Sequence, residues 1–168
     1  QPTALTIINS TTAVSCNGGN NGTATVSLSS GSGGYTYLWS TGETIAQITN
    51  LSAGTYTCTV TDTSNCSAID SVTITEPAEL IVTVANTNVS CNGGNNGTAT
   101  VSISGGSGGY TYLWSNGQNT ATTTGLISGN YTCIITDLNS CTVTVNNIFV
   151  SQPTALTIIN STTAVSCN

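Results

Sequence analysis

The sequence predicts an all-β protein made of tandem antiparallel β-sandwich repeats of about 75 residues, and three observations carry that expectation. The stretch Val14–Ser27 returns unchanged at Val89–Ser102, an offset of 75 (89 − 14), and fixed-period self-similarity decides architecture before any single residue does. Runs rich in Thr, Val, Ile and Tyr alternate apolar with polar positions, and no segment carries a stripe of period 3.6, so helix is not expected. Clusters of Gly and Asn, which tolerate positive φ, punctuate those runs at short intervals.

In chain order, Ala4–Ser15 reads as a first strand and Asn17–Gly22 as a turn. Thr23–Ser29 follows, with Ala24, Val26 and Leu28 on one face. After the Gly-rich loop Ser30–Gly34, Tyr35–Ser40 places Tyr35, Tyr37 and Trp39 on a common face. Thr44–Leu51 offers Ile45 and Ile48 to the core. Thr55–Asp62 aligns Tyr56, Cys58 and Val60, and Cys66–Thr75 closes the unit. The second unit repeats this order, with one extra residue in its last strand that predicts a bulge or a longer turn near Asn146-Asn147.

Gln1–Asn17 is identical to Gln152–Asn168, so the expected organisation is a first repeat over 1–75, a second over 76–151, and the first strand of a third over 152–168. Glu76-Pro77 and Gln152-Pro153 mark the junctions; a junction this short predicts a semi-rigid array. The chain reads as a window on a longer protein, without a signal peptide or an apolar run able to span a bilayer.

The chain has no Lys, Arg, His or Met and only six carboxylates: Glu43, Asp62, Asp70, Glu76, Glu79 and Asp137. A surface without cations cannot neutralise phosphates, which argues against nucleic acid and anionic membrane surfaces as partners. The common bases for activating Ser or Cys are missing, and the Gly-rich loops lack the Lys of a phosphate-binding loop. We therefore expect no catalytic residues, no enzyme and no cofactor. Asp62 and Asp137 each precede a turn; a lone Asp there ordinarily organises the turn itself, and no metal site is expected.

Three cysteines fall at equivalent positions in each repeat, and Cys167 opens the third set. Spacings of 42 and 8 fit no zinc motif, so a disulfide is expected in so small a β-rich unit. Two pairings are open. Cys16–Cys66 and Cys91–Cys141 would join the end of the first strand to the start of the last, closing loops of about 50 residues worth roughly 4 kcal/mol in the chain-entropy model. Cys16–Cys58 is the rival, on the pattern of an inter-sheet bridge. We prefer the first, which leaves Cys58 and Cys133 as buried free thiols. Trp39 and Trp114 read as core centrepieces rather than exposed platforms, and Tyr56 and Tyr131, following Leu-x-x-Gly-x-Tyr, as tyrosine corners.

Taken together, Val-Ser-Cys-Asn-Gly-Gly…Gly-Thr-Ala-Thr-Val-Ser, Gly-Gly-Tyr-Thr-Tyr-Leu-Trp-Ser-x-Gly, Gly-x-Tyr-Thr and the Asn/Ser-Cys pair resemble the SprB-type repeat of surface adhesins from gliding Bacteroidota. The resemblance implies an immunoglobulin-like sandwich, type IX secretion, an extracellular place on the cell surface, and display as long filaments. Its recurrent cysteine pair matches Cys16 with Cys66 and Cys91 with Cys141. Cys58 and Cys133 depart from the pattern, where an aliphatic residue is usual. Asp70-Ser71-Val72 is similar to the O-glycosylation signal of these bacteria, which makes Ser71 a candidate.

The expected role is a structural repeat segment of a filamentous adhesin for attachment and gliding. Its partners would be neighbouring repeats of the same chain and, through uncharged Thr/Asn faces, adjacent filaments; the sequence names no external surface or glycan target. The alternative is a spacer or glycan-binding module of a secreted polysaccharide-degrading enzyme; only the glycan-binding module would need an exposed aromatic pair.

Overall fold

The computed structural model describes residues 5–31 and 33–162. The expected strand start at Ala4, the loop position Ser32, and Val165–Asn168 with Cys167 lie outside them. The chain forms two compact units: Gln1–Ile81 with Ile103–Tyr110 and Thr136–Val143, and Val82–Ser102 with Thr111–Ile135 and Thr144–Asn168. The first unit thus takes in three short segments of the expected second repeat, 76–81, 103–110 and 136–143.

Alternating Thr/Val/Ile sequences become twelve strands, six per repeat, with no helix among the described residues. In the first repeat these are β1 (Ile7–Thr12), β2 (Gly22–Leu28), β3 (Thr36–Trp39), β4 (Gln47–Leu51), β5 (Gly54–Thr61) and β6 (Ser67–Ile74). They make two three-stranded sheets, ordered β1-β2-β4 and β3-β5-β6. The β1–β2, β2–β4, β3–β5 and β5–β6 pairings are antiparallel, with Tyr37 opposite Val60 and Trp39 opposite Cys58. The second repeat has β7 (Ile81–Thr87), β8 (Gly97–Ser104), β9 (Thr111–Trp114), β10 (Thr122–Leu126), β11 (Gly129–Thr136) and β12 (Thr142–Val150), ordered β7-β8-β10 and β9-β11-β12. First, second and fourth strands in one sheet, third, fifth and sixth in the other, is the immunoglobulin-like arrangement.

The alternation predicts the core. Ala24, Val26, Trp39, Ile48, Leu51, Cys58, Val60, Val72 and Ile74 close over one another, each at most 4% exposed. Ile48 is in this core, but Ile45 is 61% exposed, because it sits in the turn before β4 and contributes its carbonyl instead. In the second repeat Thr123 takes the place of Ile48; fully buried, its hydroxyl accepts a hydrogen bond from Asn116 Nδ2 at 2.8 Å.

The extra residue of β12 is absorbed as expected. Asn147 takes a positive φ of 59°, and two consecutive exposed positions, Asn146 and Asn147, interrupt an alternation that is unbroken in β6. Over Gln152–Thr162 the chain forms no strand. The same sequence becomes β1 only by pairing with β2, and Gln152–Asn168 contains no counterpart of β2.

Candidate functional site

The candidate site is the loop between β1 and β2, because it carries the repeated sequence and Cys16. Val14 anchors it: the side chain is 2% exposed and its N–H donates to Thr75 O at 2.9 Å. Ser15 N–H donates to Asn21 Oδ1 at 2.9 Å, while Asn21 Nδ2 donates to Ser15 Oγ at 2.7 Å. Gly19 N–H closes a turn on Cys16 O at 3.0 Å. A Cβ on Gly19 would stand 2.8 Å from Val14 Cγ1, so the loop can tighten only with glycine there. The loop then grips the repeat junction, with Gly18 N–H donating to Glu76 Oε2 at 2.6 Å and Asn17 Nδ2 to Pro77 O at 3.1 Å. In the second unit, Gly93 N–H reaches Gln152 Oε1 at 2.8 Å and Asn92 Nδ2 reaches Pro153 O at 3.0 Å. An acid and an amide do the same work, since both present an oxygen.

The turn after β11 is the other half of the site. Asp137 Oδ1 accepts the N–H groups of Asn139 and Cys141, both at 2.9 Å, and Oδ2 accepts Ser107 N–H at 2.9 Å. These three bonds favour the ionised form and hold the carboxyl below its ordinary range, the Ser107 bond contributing most, against the opposing effect of burial. Ser140 is carried at a φ of 66°.

These two halves meet in a disulfide between Cys16 and Cys141, with Cα atoms 5.6 Å apart and a sequence separation of 125. Both cysteines belong to the first compact unit. Asn139 Nδ2 fastens the same place, donating to Ser15 O at 3.1 Å and to Ser107 Oγ at 2.8 Å. The expected Cys16–Cys66 and Cys91–Cys141 pairs are not formed; Cys66 and Cys91 are free thiols. The reason is strand direction. The Val14–Thr75 bond brings the Cys16 loop to the end of β6, whereas Cys66 precedes its start. Eight strand residues, roughly 27 Å, separate those ends, far beyond the reach of a disulfide. In the second repeat Val89 N–H likewise donates to Ser151 O, at the end of β12, while Cys141 precedes that strand. The rival Cys16–Cys58 pair is also absent: Cys58 is buried in β5, opposite Trp39.

Elsewhere the singled-out residues do structural work. Trp39 and Trp114 are each 2% exposed, with indole N–H groups donating to Ile45 O at 2.9 Å and Thr120 O at 2.8 Å. Tyr56 and Tyr131 hydroxyls donate to Ser52 O and Ile127 O, each at 3.0 Å, the geometry of a tyrosine corner. Cys58 and Cys133 are fully buried, and burial pushes both thiols up. Ser71 is exposed on β6, its N–H held by Asp70 Oδ1 at 2.8 Å. Asp62 repeats the Asp137 turn, with Oδ1 accepting Ser64 and Cys66 N–H at 2.8 and 3.0 Å. Among the described residues no three His, Cys, Asp or Glu gather where a metal ion could sit, and no helix is long and apolar enough to cross a membrane. Sequence reasoning missed Asn139, Ser107 and the Glu76 clasp. Only the clasp left a signal, in the recurrence of Glu/Gln-Pro at Glu76-Pro77 and Gln152-Pro153, 59 (76 − 17) and 60 (152 − 92) residues after Asn17 and Asn92 of the two Asn-Gly-Gly turns.

Fold and loop together define a repeat protein of immunoglobulin-like sandwiches with a cysteine-bearing first loop. Two stretches, residues 8–44 and 83–119, match the family model of the SprB repeat, one in each repeat of the chain. The SprB-type resemblance therefore holds for both complete copies. No curated protein matches the chain. Among solved structures it is similar to three N-terminal domains of the outer capsid protein Hoc of bacteriophage RB49, at 19% identity and a TM-score of 0.50, covering 88% of this chain and 59% of that one. It is also similar to the two Ig domains of DIP-gamma, at 13% identity and a TM-score of 0.46, covering 90% and 99%. A further match is to the eight N-terminal Ig domains of the Down syndrome cell adhesion molecule, at 13% and 0.43, covering 89% of this chain and 25% of that one. The chain thus spans less than two thirds of the Hoc structure and a quarter of the Down syndrome cell adhesion molecule structure.

Proposed function

We propose that this chain is a structural segment of a long filamentous adhesin on the outer surface of a Bacteroidota cell, exported by type IX secretion and serving attachment and gliding. The observation that carries the reading is that the SprB match recurs in both copies together with the loop it encodes, hydrogen bond for hydrogen bond. An unchanging loop that clasps each junction suits a protein whose task is to repeat. The repeats run 1–75 and 76–151, and 152–168 opens a third. The role is structural rather than catalytic: the loops spend their polar groups on one another, and both tryptophans are enclosed rather than offered to a sugar. Neighbouring repeats are the first partners, adjacent filaments the second, and Ser71 is the position for a glycan.

The test is to attach beads to living cells of the source organism through an antibody against this segment. Beads that bind and travel support a motor-driven adhesin. Beads that bind and stay still restrict the role to a static surface filament. Antigen found only in the medium overturns the surface reading.

A further inference from the structure

Among the described residues Cys66 and Cys91 are the two free thiols outside the cores, and each sits in a copy of a half-site that is already joined elsewhere in the chain. Cys91 occupies the place of Cys16 one repeat later. Its loop has the same bonds: Ser90 N–H to Asn96 Oδ1 at 3.0 Å, Asn96 Nδ2 to Ser90 Oγ at 2.7 Å, and Gly94 N–H to Cys91 O at 3.0 Å. Cys66 occupies the place of Cys141 one repeat earlier, in a turn closed by Asp62 N–H to Cys66 O and Asn65 N–H to Asp62 O, both at 3.0 Å. The Cys141 turn closes through the same two bonds, from Asp137 and Ser140. Beside Cys16, Pro77–Leu80 face Gly106 and the Cys141 turn across a cavity of about 410 Å³. Beside Cys91, Pro153–Leu156 line a groove of about 470 Å³ with Ser90 and Asn92. Cys91 is exposed and Cys66 half-buried, whereas Cys58 and Cys133 are sealed in the cores.

We propose that the Cys16–Cys141 bond is one link of a series, in which Cys91 bonds to the counterpart of Cys66 in the repeat that follows, and Cys66 to the counterpart of Cys91 in the repeat that precedes. The first loop of every repeat is then cross-linked to the last turn of the next, and the array is held by a second covalent path beside its backbone. Forming each link removes two thiol protons and two electrons. An external protein disulfide accepts the electrons by thiol–disulfide exchange through a mixed disulfide, and leaves as a dithiol. The inference stands on the paired half-sites and does not depend on the adhesin reading.

The flanking sequences make the links distinguishable. Asn-Val-Ser precedes Cys91 where Ala-Val-Ser precedes Cys16, and Asn65 precedes Cys66 where Ser140 precedes Cys141. A chain with Gln1–Ser151 written twice in tandem would be folded with a disulfide oxidant, alkylated, digested without reductant and mapped by mass spectrometry. The expected map joins Cys91 to the Cys66 peptide of the third repeat and each Cys16-type peptide to a Cys141 peptide, in a protein that stays monomeric on a non-reducing gel. Cys91→Ser should free that Cys66 counterpart and leave the Cys16–Cys141 links intact. The Cys91 of the last repeat and the Cys66 of the first have no partner and stay alkylated; Cys91–Cys141 links, Cys91 recovered only as alkylated thiol, or Cys91–Cys66 links found only in covalent multimers would each overturn the proposal.

Discussion

Cys16 is bonded to Cys141 rather than to Cys66, although Cys66 and Cys141 hold the same place in consecutive repeats. The bond closes a loop of 125 residues, for which the chain-entropy model gives about 5 kcal/mol. A chain with both Cys16→Ser and Cys141→Ser should lose about 2–5 kcal/mol in urea unfolding. Reductant should produce a comparable loss in the parent and none in the variant.

The buried hydroxyl of Thr123 depends on Asn116 Nδ2. Asn116→Ala leaves it buried without that donor and should cost about 1–3 kcal/mol. Adding Thr123→Ile restores the apolar residue that the first repeat has as Ile48, and should recover most of the loss. Thermal melts of the single and double variants check this; equal melting temperatures for the two would contradict it.

Asp137 carries a pH prediction. Its folded pKa lies below the ordinary 3.8, so the folded chain binds that proton less readily than the unfolded one. The stability this contributes is complete above about pH 4 and drains away as pH falls through the folded pKa. Asp137→Asn keeps an oxygen for the turn but cannot accept from both Oδ positions, so the Ser107 bond is lost. The variant should melt lower at neutral pH and show a flatter decline below about pH 4.

Ser140 sits at a φ of 66°, where the first repeat has Asn65 at 61°. Asn tolerates the left-handed region better than Ser, so Ser140→Asn should raise stability by a few tenths to about 1 kcal/mol. Chemical denaturation reads it; a loss of stability would contradict the strain argument.

Most of the fold was legible because burial in a sandwich has period two, and the alternation of Ala24, Val26, Tyr37, Trp39, Cys58 and Val60 states it directly. The bulge at Asn146-Asn147 was legible as a one-residue change of spacing. Ile45 was not, because a turn breaks the alternation before β4. The disulfide was not legible for a deeper reason: a periodic sequence says which positions pair but not which copy supplies them. The deciding fact is the direction of the segment after β1, set by the Val14–Thr75 bond, and no residue type encodes it.

The most direct measurement is a non-reducing peptide map of the 168-residue chain, folded oxidatively and alkylated before digestion. The account predicts one linked pair, the Cys16 peptide with the Cys141 peptide, and alkylated Cys66 and Cys91. A Cys16 peptide linked to the Cys66 peptide would contradict it, and would return the staple to the interior of a single repeat.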